Sequence, residues 1–270
     1  MQRFALSDQQ WTLISDFLPK NGHRGTQWKN HRVIIDGILW ILRTGAPWRD
    51  MPEIYGRWKT IYERFRLWTR SGLWDQIIDR LLALKNKDGQ IDWDLFCIDG
   101  TIIRAHKASA GARKDPPEGE PEDHSLGLSR GGISTKIHLV CDGKGLPIIA
   151  DIGPGQKHES TYCIRLVDCI RVGTDGRPKK RPDRLAGDKG YNAASIRLDL
   201  KNRGIFPVIP TNSTQTRLAG FDKTYYRKRN IVERCISWLK ENRRIATRYE
   251  KLSIHFLAML KIGIIARHLS

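Results

Sequence analysis

Three acidic residues, Asp99, Asp188 and Glu233, stand in surroundings where a carboxylate could do chemistry. Asp99 follows the apolar run DLFCI (94–98) and precedes Gly100. That run is too dense in large apolar side chains for a one-sided strand, and an acid at the exit of a strand buried on both faces is expected to point into a cleft. Asp188 repeats the arrangement in RLAGDKGY, just past a short apolar stretch. Gly187 and Gly190 bracket it and would let backbone or phosphate come close. For either acid alone, an ordinary Asp-Gly or Gly-bracketed turn is an equally good account. Taken as one helix, YRKRNIVERCISWLKENRR places Tyr226, Arg229, Glu233 and Lys240 within an arc of about 40–60° at roughly 100° per residue. Ser237 and Arg244 lie close to that stripe, while Ile231, Val232, Cys235, Ile236 and Leu239 supply a packing surface. A solvated i, i+4 pair of Arg229 with Glu233 explains the helix by itself just as simply.

The three acids together say more than each alone. Carboxylate oxygens are hard ligands that suit Mg²⁺ or Mn²⁺. Two such ions about 3.5–4 Å apart activate water or a 3′-hydroxyl and stabilise the leaving oxygen of an in-line phosphoryl displacement. Arg229 and Lys240 would then hold phosphates beside the metals. Lys189 and Arg104 flank the carboxylates and are further candidates for phosphate contact. His106, His138 and His158 are read as structural or DNA-contacting, because metal ions can activate the nucleophile without a histidine base.

The charge balance points to the same partner. Lys and Arg number 47 against 29 acidic residues, a net charge of +18. Such an excess calls for a polyanion, nucleic acid first and an anionic membrane surface second, and the amphipathic basic helix that the membrane would require is missing. No apolar run approaches the roughly 20 residues that span a bilayer, and the N-terminal MQRFALSDQQW lacks the layout of a signal peptide. The cysteines number five and include no CxxC pair, which argues against a disulfide framework or a zinc site and for a reducing compartment, the cytoplasm.

The elements that must position these residues fall into two groups. Residues 1–87 are expected to be helical. Ser7 with Gln10 forms a capping box, a second helix starts after Asn30 and stops at Gly45, a third runs from about Gly56 to Ser71, and a fourth starts at Trp74. The third carries Trp58, Ile61, Phe65 and Trp68 at helical spacing, and Arg57, Lys59, Arg64 and Arg66 beside them. A basic helix backed by aromatics suits a helix-turn-helix-like DNA reader, and equally a solvated face over a core. From residue 88 to 270 the pattern becomes α/β. A strand ends in Asp99, and a polar stretch at about 104–132, with an acidic cluster at Asp115, Glu118, Glu120, Glu122 and Asp123, is expected to be a long mobile loop. Two alternating strands follow, Ser134 to Cys141 and Leu146 to Ile152. Then come a helix from about Glu159, a strand at Arg184 to Ala186, a helix from about Ala193, a strand at Phe206 to Ile209 and a long helical C-terminus. Three strands, helix, strand, helix, strand, helix is the order of a ribonuclease-H-like mixed sheet.

At this point the chain resembles the bacterial insertion-sequence transposases of the DDE class, family five, within the IS4/IS5-like superfamily. The likeness rests on LSDQQWTLISDFLP, DGILWILRTGAPWRDMP, IDGTIIRAHKASAGA, GGISTKIH, GDKGY and IVERCISWLKENRRIATRYEK, in that order and over nearly the whole chain. Tyr226, Arg229, Glu233 and Lys240 match the family's tyrosine–arginine–glutamate–lysine signature at its spacing. The resemblance implies a small all-helical DNA-binding domain (1–87) before a ribonuclease-H-like catalytic domain (88–270). It also implies a homodimer that pairs two terminal inverted repeats, and Mg²⁺-dependent cutting and joining to target DNA with no covalent protein–DNA intermediate. Asp99, Asp188 and Glu233 would be the metal ligands, and Tyr226, Arg229 and Lys240, with Arg244 nearby, would contact DNA. A simple metal nuclease and a DNA-binding protein that no longer cuts are the competing readings.

Overall fold

A computed structural model describes residues 4–20, 30–112, 116–212 and 221–270. Asp115, counted above in the acidic cluster, lies outside the described residues.

The helical N-terminal part follows its caps. Helix α1 (Asp8–Ile14) starts with the reciprocal Ser7–Gln10 box, and α2 (His31–Thr44) is capped by Asn30 and stopped by Gly45 in the left-handed region. α3 (Trp58–Arg70) and α4 (Leu73–Lys87) follow. The strands are β1 (Leu95–Ala105), β2 (Gly127–Ser129), β3 (Gly132–Asp142), β4 (Pro147–Pro154), β5 (Arg184–Ala186), β6 (Phe206–Val208) and β7 (Thr247–Arg248). The remaining helices are α5 (Ser160–Cys169), α6 (Ala194–Asn202), α7 (Lys223–Lys228), α8 (Asn230–Lys240), α9 (Arg243–Ala246) and α10 (Ser253–Leu269).

The main sheet runs β4–β3–β1–β5–β6. β4, β3 and β1 are antiparallel, and β5 and β6 lie parallel to β1. α5 and α6 connect β4 to β5 and β5 to β6. This is the mixed sheet of the ribonuclease-H-like fold. Along β1 the side chains alternate between two cores. Leu95 and Cys97 face the side covered by α8 and α10, and Phe96 and Ile98 face α5 and α6.

Three expectations need correcting. β1 does not end at Asp99: it stays paired with β3 as far as Arg104, so Asp99 is a mid-strand residue and no Asp-Gly turn forms. The helical N-terminus does not bury a core of its own. Ile34, Ile38, Phe65 and Trp68 belong to one continuous apolar cluster with Cys97, Leu239, Phe256 and Met259 of the α/β part. The described residues of the polar stretch are also anchored rather than loose. The Glu120 carboxylate accepts hydrogen bonds from the Ser253 and Ile254 amides at 2.6 and 3.0 Å and from Ser253 Oγ at 3.0 Å, capping α10 from a distance. Its charge satisfies amides that the start of a helix leaves unpaired.

Three buried histidines give stability a pH dependence. Burial lowers His138 to about 3 and both His255 and His268 to about 4. His138 lies stacked on Tyr162, ring centroids 3.8 Å apart, and neither of its ring nitrogens has a hydrogen-bond partner among the described residues. Unfolding returns these groups to about 6.5, so the unfolded chain binds more protons than the folded one. Stability is therefore full above about 6.5 and falls as pH drops towards the folded values. Urea midpoints are expected to decline steadily from pH 7 to pH 4.5; a constant midpoint would contradict neutral burial of these rings.

Candidate active site

The register of the sheet brings the first two acids together. Cys97 pairs with Ala186 in the parallel β1–β5 ladder, and each is followed two residues later by an aspartate, Asp99 and Asp188. Neighbouring strands lie about 4.8 Å apart, so the two carboxylates emerge side by side where β5 ends. Beyond that point this edge of β1 is unpaired until β7 joins it at Arg104 and Ala105, while β3 stays paired along the other edge. The gap is a crevice at the carboxyl end of a parallel strand, the usual ligand position in α/β sheets. Asp99 Oδ1 accepts the Gly100 amide at 2.8 Å, and Asp188 Oδ1 accepts the Gly190 amide at 2.8 Å.

The third acid arrives on α8. Val232, Cys235, Ile236 and Leu239 bury one face of that helix against the sheet. The helix is not continuous through the whole signature: α7 and α8 meet at Arg229, and α8 stops at Lys240. Arg229 bridges two of the acids, with Nη1 3.2 Å from Asp99 Oδ2 and Nη2 hydrogen-bonded to Glu233 Oε1. Lys240 Nζ donates to Thr101 Oγ1 at 2.7 Å, two residues beyond Asp99 on β1. The Tyr226 ring is half-buried beside Phe221, with the Arg229 guanidinium 5.9 Å from its centre. Tyr225 secures α7 to the sheet, its hydroxyl donating to Asp94 Oδ2 at 2.6 Å.

Electrostatically the crevice is crowded with negative charge. Burial raises the Asp99 carboxyl above its usual range; Glu159 and Asp188 push the same way, while the Gly100 amide and Arg229 oppose them. Burial also lowers the Lys240 ammonium. Among the described residues no three ligating side chains already enclose a metal site. The donor set nevertheless fits a hard divalent cation. Its ligands are carboxylate oxygens, two of them in register, and a guanidinium now neutralises the pair Asp99 and Glu233.

The other candidate contacts divide. Lys189 is exposed next to Asp188, Arg104 is exposed five residues beyond Asp99 at the far end of β1, and Arg57 and Lys59 are exposed at the start of α3. Arg66 is partly exposed and pairs with Glu63 at 3.2 Å. Arg64 and Arg244 do not belong with them. Arg64 is buried, its guanidinium over the Trp68 ring and Nη1 3.1 Å from His31 Nδ1. Arg244 is buried because the chain leaves the helical stripe at Asn242. Its Nε pairs with Glu250 at 2.6 Å, and Nη1 donates to the carbonyls of Gly45 and Ala46. His106 and His158 each use Nδ1 in a local turn. Two charged residues escaped the sequence reading, Glu159 and Lys136, which form an ion pair of 3.4 Å beside the aspartates. A signal was present in Gly100, whose missing side chain leaves the space that Glu159 occupies.

Comparison with known proteins assigns a family. A family model described as "Transposase DDE domain" matches residues 93–267, and one described as "Putative transposase of IS4/5 family" matches residues 6–78. The chain is 37% identical to the uncharacterized protein y4sN of Sinorhizobium fredii, over 41% of this chain and 84% of that protein. It is 32% identical to the "Putative transposase for insertion sequence element IS402" of Burkholderia cepacia, over 54% of this chain and 67% of that protein. Among solved structures, the piggyBac transposase synaptic complex with hairpin DNA aligns with 98% of this chain and 72% of its own, at 11% identity and a TM-score of 0.48.

Proposed function

The chain belongs to the transposase DDE domain family, and from that premise we propose that it binds the terminal inverted repeats of a mobile element and cleaves and transfers DNA strands there. It is an enzyme of the DDE transposase class, whose chemistry depends on a divalent metal. The observation that carries the finer reading is Asp99, in register with Asp188 at the end of β5 and joined to Glu233 through Arg229.

In this reading Asp99, Asp188 and Glu233 hold two Mg²⁺ ions, with Mn²⁺ able to substitute. Once bound, the ions lower the pKa of the attacking hydroxyl and stabilise the leaving oxygen of the phosphodiester. Asp99 and Asp188 are already side by side. Glu233 reaches them by a side-chain rotation away from Arg229, which now holds its Oε1. Arg229, so released, turns to the scissile phosphate, for which its planar fork is well matched. Lys240, Tyr226, Lys189 and Arg104 line the approach of the DNA, and Arg57, Lys59 and Arg66 on α3 hold the duplex further out. Two copies of the chain pair two element ends, in the cytoplasm and on the nucleoid. No helix among the described residues is long and apolar enough to cross a membrane.

The test uses a plasmid carrying the gene with its flanking sequence, the purified protein and Mg²⁺. Expected are strand breaks at both ends of the element and joined products in a target plasmid, both lost with chelator. Binding without breakage would leave a DNA-binding protein, and breakage without joining would leave a nuclease; either result refutes transposition by this chain.

A further inference from the structure

Glu159 immediately precedes α5, the helix that covers the Phe96 and Ile98 face of the sheet. It therefore approaches the aspartates from the side opposite α8 and Glu233. Its Oε1 lies 3.4 Å from Lys136 Nζ, and that ammonium is itself buried and donates to the Lys157 carbonyl at 2.9 Å. The lysine thus fixes one carboxylate oxygen from behind. The other oxygen faces the crevice. A Cβ placed on Gly190 would stand 2.9 Å from Asp188 Oδ1 and 3.5 Å from Glu159 Oε2, so the two carboxylates flank one point. A Cβ on Gly100, next to Asp99, would stand 2.9 Å from the carboxyl carbon of Glu159, closer than real side-chain contacts allow. Beside Asp99 the chain gives up a side chain where Glu159 stands, and Gly190 keeps a Cβ away from the Asp188 carboxylate that Glu159 approaches.

Bringing a carboxylate against two others is unfavourable without a cation to share. Lys136 accounts for one oxygen and Arg229 sits on the far side, with Glu233. We propose that Glu159 is a fourth carboxylate of the catalytic centre, binding divalent cation together with Asp99 and Asp188, and that Lys136 holds it in position. This rests on the metal site assigned above. It adds a ligand on the face of the sheet that Glu233 does not reach, so a pair of ions would find acidic oxygens on both sides of the aspartates. The competing explanation is that Glu159 serves only as counterion to a buried lysine.

Calorimetric titration with MnCl₂, without DNA, separates these. E159Q keeps the shape of the side chain and its contact with Lys136. It is expected to bind Mn²⁺ about tenfold more weakly or worse, at a melting temperature lowered by the uncompensated Lys136 charge. The double variant K136M/E159Q removes the buried lysine charge as well. If Glu159 is a ligand, the double variant stays as weak as E159Q; if it is only a counterion, the double variant binds Mn²⁺ like the parent, which overturns the proposal. D99N is the reference. Weak binding by D99N with parental binding by E159Q refutes the role of Glu159 and spares the triad, whereas parental binding by both refutes the metal site itself and the proposal with it.

Discussion

Asp99→Asn is expected to reduce strand cleavage by roughly 10³-fold or more, while binding of element-end DNA stays within about threefold. Asparagine has the shape of aspartate and its Oδ1 still accepts the Gly100 amide, so the strand and its pairing to β3 are kept. What is lost is one anionic oxygen between Asp188 and Arg229, and a neutral amide is a poor ligand for a hard dication. A second readout distinguishes this from general damage. Asp99 is a buried carboxyl raised by its surroundings, so its ionised form is less favourable in the folded protein than in the unfolded chain. Neutralising it is expected to leave the melting temperature equal to the parent's or slightly higher. Loss of activity at equal or greater stability is the mark of a residue kept for function. Cleavage within tenfold of the parent would remove Asp99 from the metal site. D188N and E233Q are expected to lose cleavage in the same way.

The helices were legible because their signals are local. Ser7 with Gln10, Asn30 and Gly45 act within one turn of the residue that carries the signal, and each appears in the structure where its chemistry places it. The mixed sheet was legible from element order. The course of β1 was not. Asp-Gly is a strong turn dipeptide, yet β3 pairs through it, and Gly100 is required by Glu159, which is 59 positions away in the chain and invisible to any local pattern. Arginines were misjudged for a related reason. Charge counts treat all of them as surface, but Arg64 and Arg244 are buried against His31, Trp68 and Glu250. The helical stripe selects Glu233 over Glu250, and in the structure Glu233 pairs with Arg229 beside Asp99 whereas Glu250 is one of those buried partners; the extension of the stripe to Arg244 fails because α8 stops at Lys240. The polar stretch was misread because acidic composition describes solubility, whereas Glu120 and the segment around it are held by partners more than 100 residues distant.

The largest stability effect is expected from one of those partners. Arg248 has no exposed surface, and burial lowers it only to about 10, so it is charged at neutral pH inside the protein. All of its donors face oxygen. Nη1 reaches Thr135 Oγ1 at 2.5 Å and the Ser125 carbonyl at 3.2 Å, Nη2 reaches the carbonyls of His124 at 2.8 Å and Lys251 at 3.3 Å, and Nε reaches the Glu250 carbonyl at 3.1 Å. One side chain thus joins the polar stretch, β3 and the turn before α10. Arg248→Met fills much of the volume but takes the guanidinium donors from the His124, Glu250 and Lys251 carbonyls, while the Ser125 carbonyl keeps the Thr135 hydroxyl. Buried acceptors left unsatisfied cost about 1–3 kcal/mol each, so the sum is expected to be a large part of the roughly 5–15 kcal/mol that holds a typical domain folded. Arg248→Lys keeps a charge but offers three donors from a single nitrogen in place of a planar fork, so an intermediate loss is expected. Urea denaturation measures both. Because His124 and Ser125 lose their anchor, R248M should also be cut faster by protease within residues 116–132 under conditions where the rest of the chain resists. A loss below about 1 kcal/mol, the size of an ordinary substitution, with unchanged protease resistance would show that the polar stretch is held by Glu120 and α10 alone.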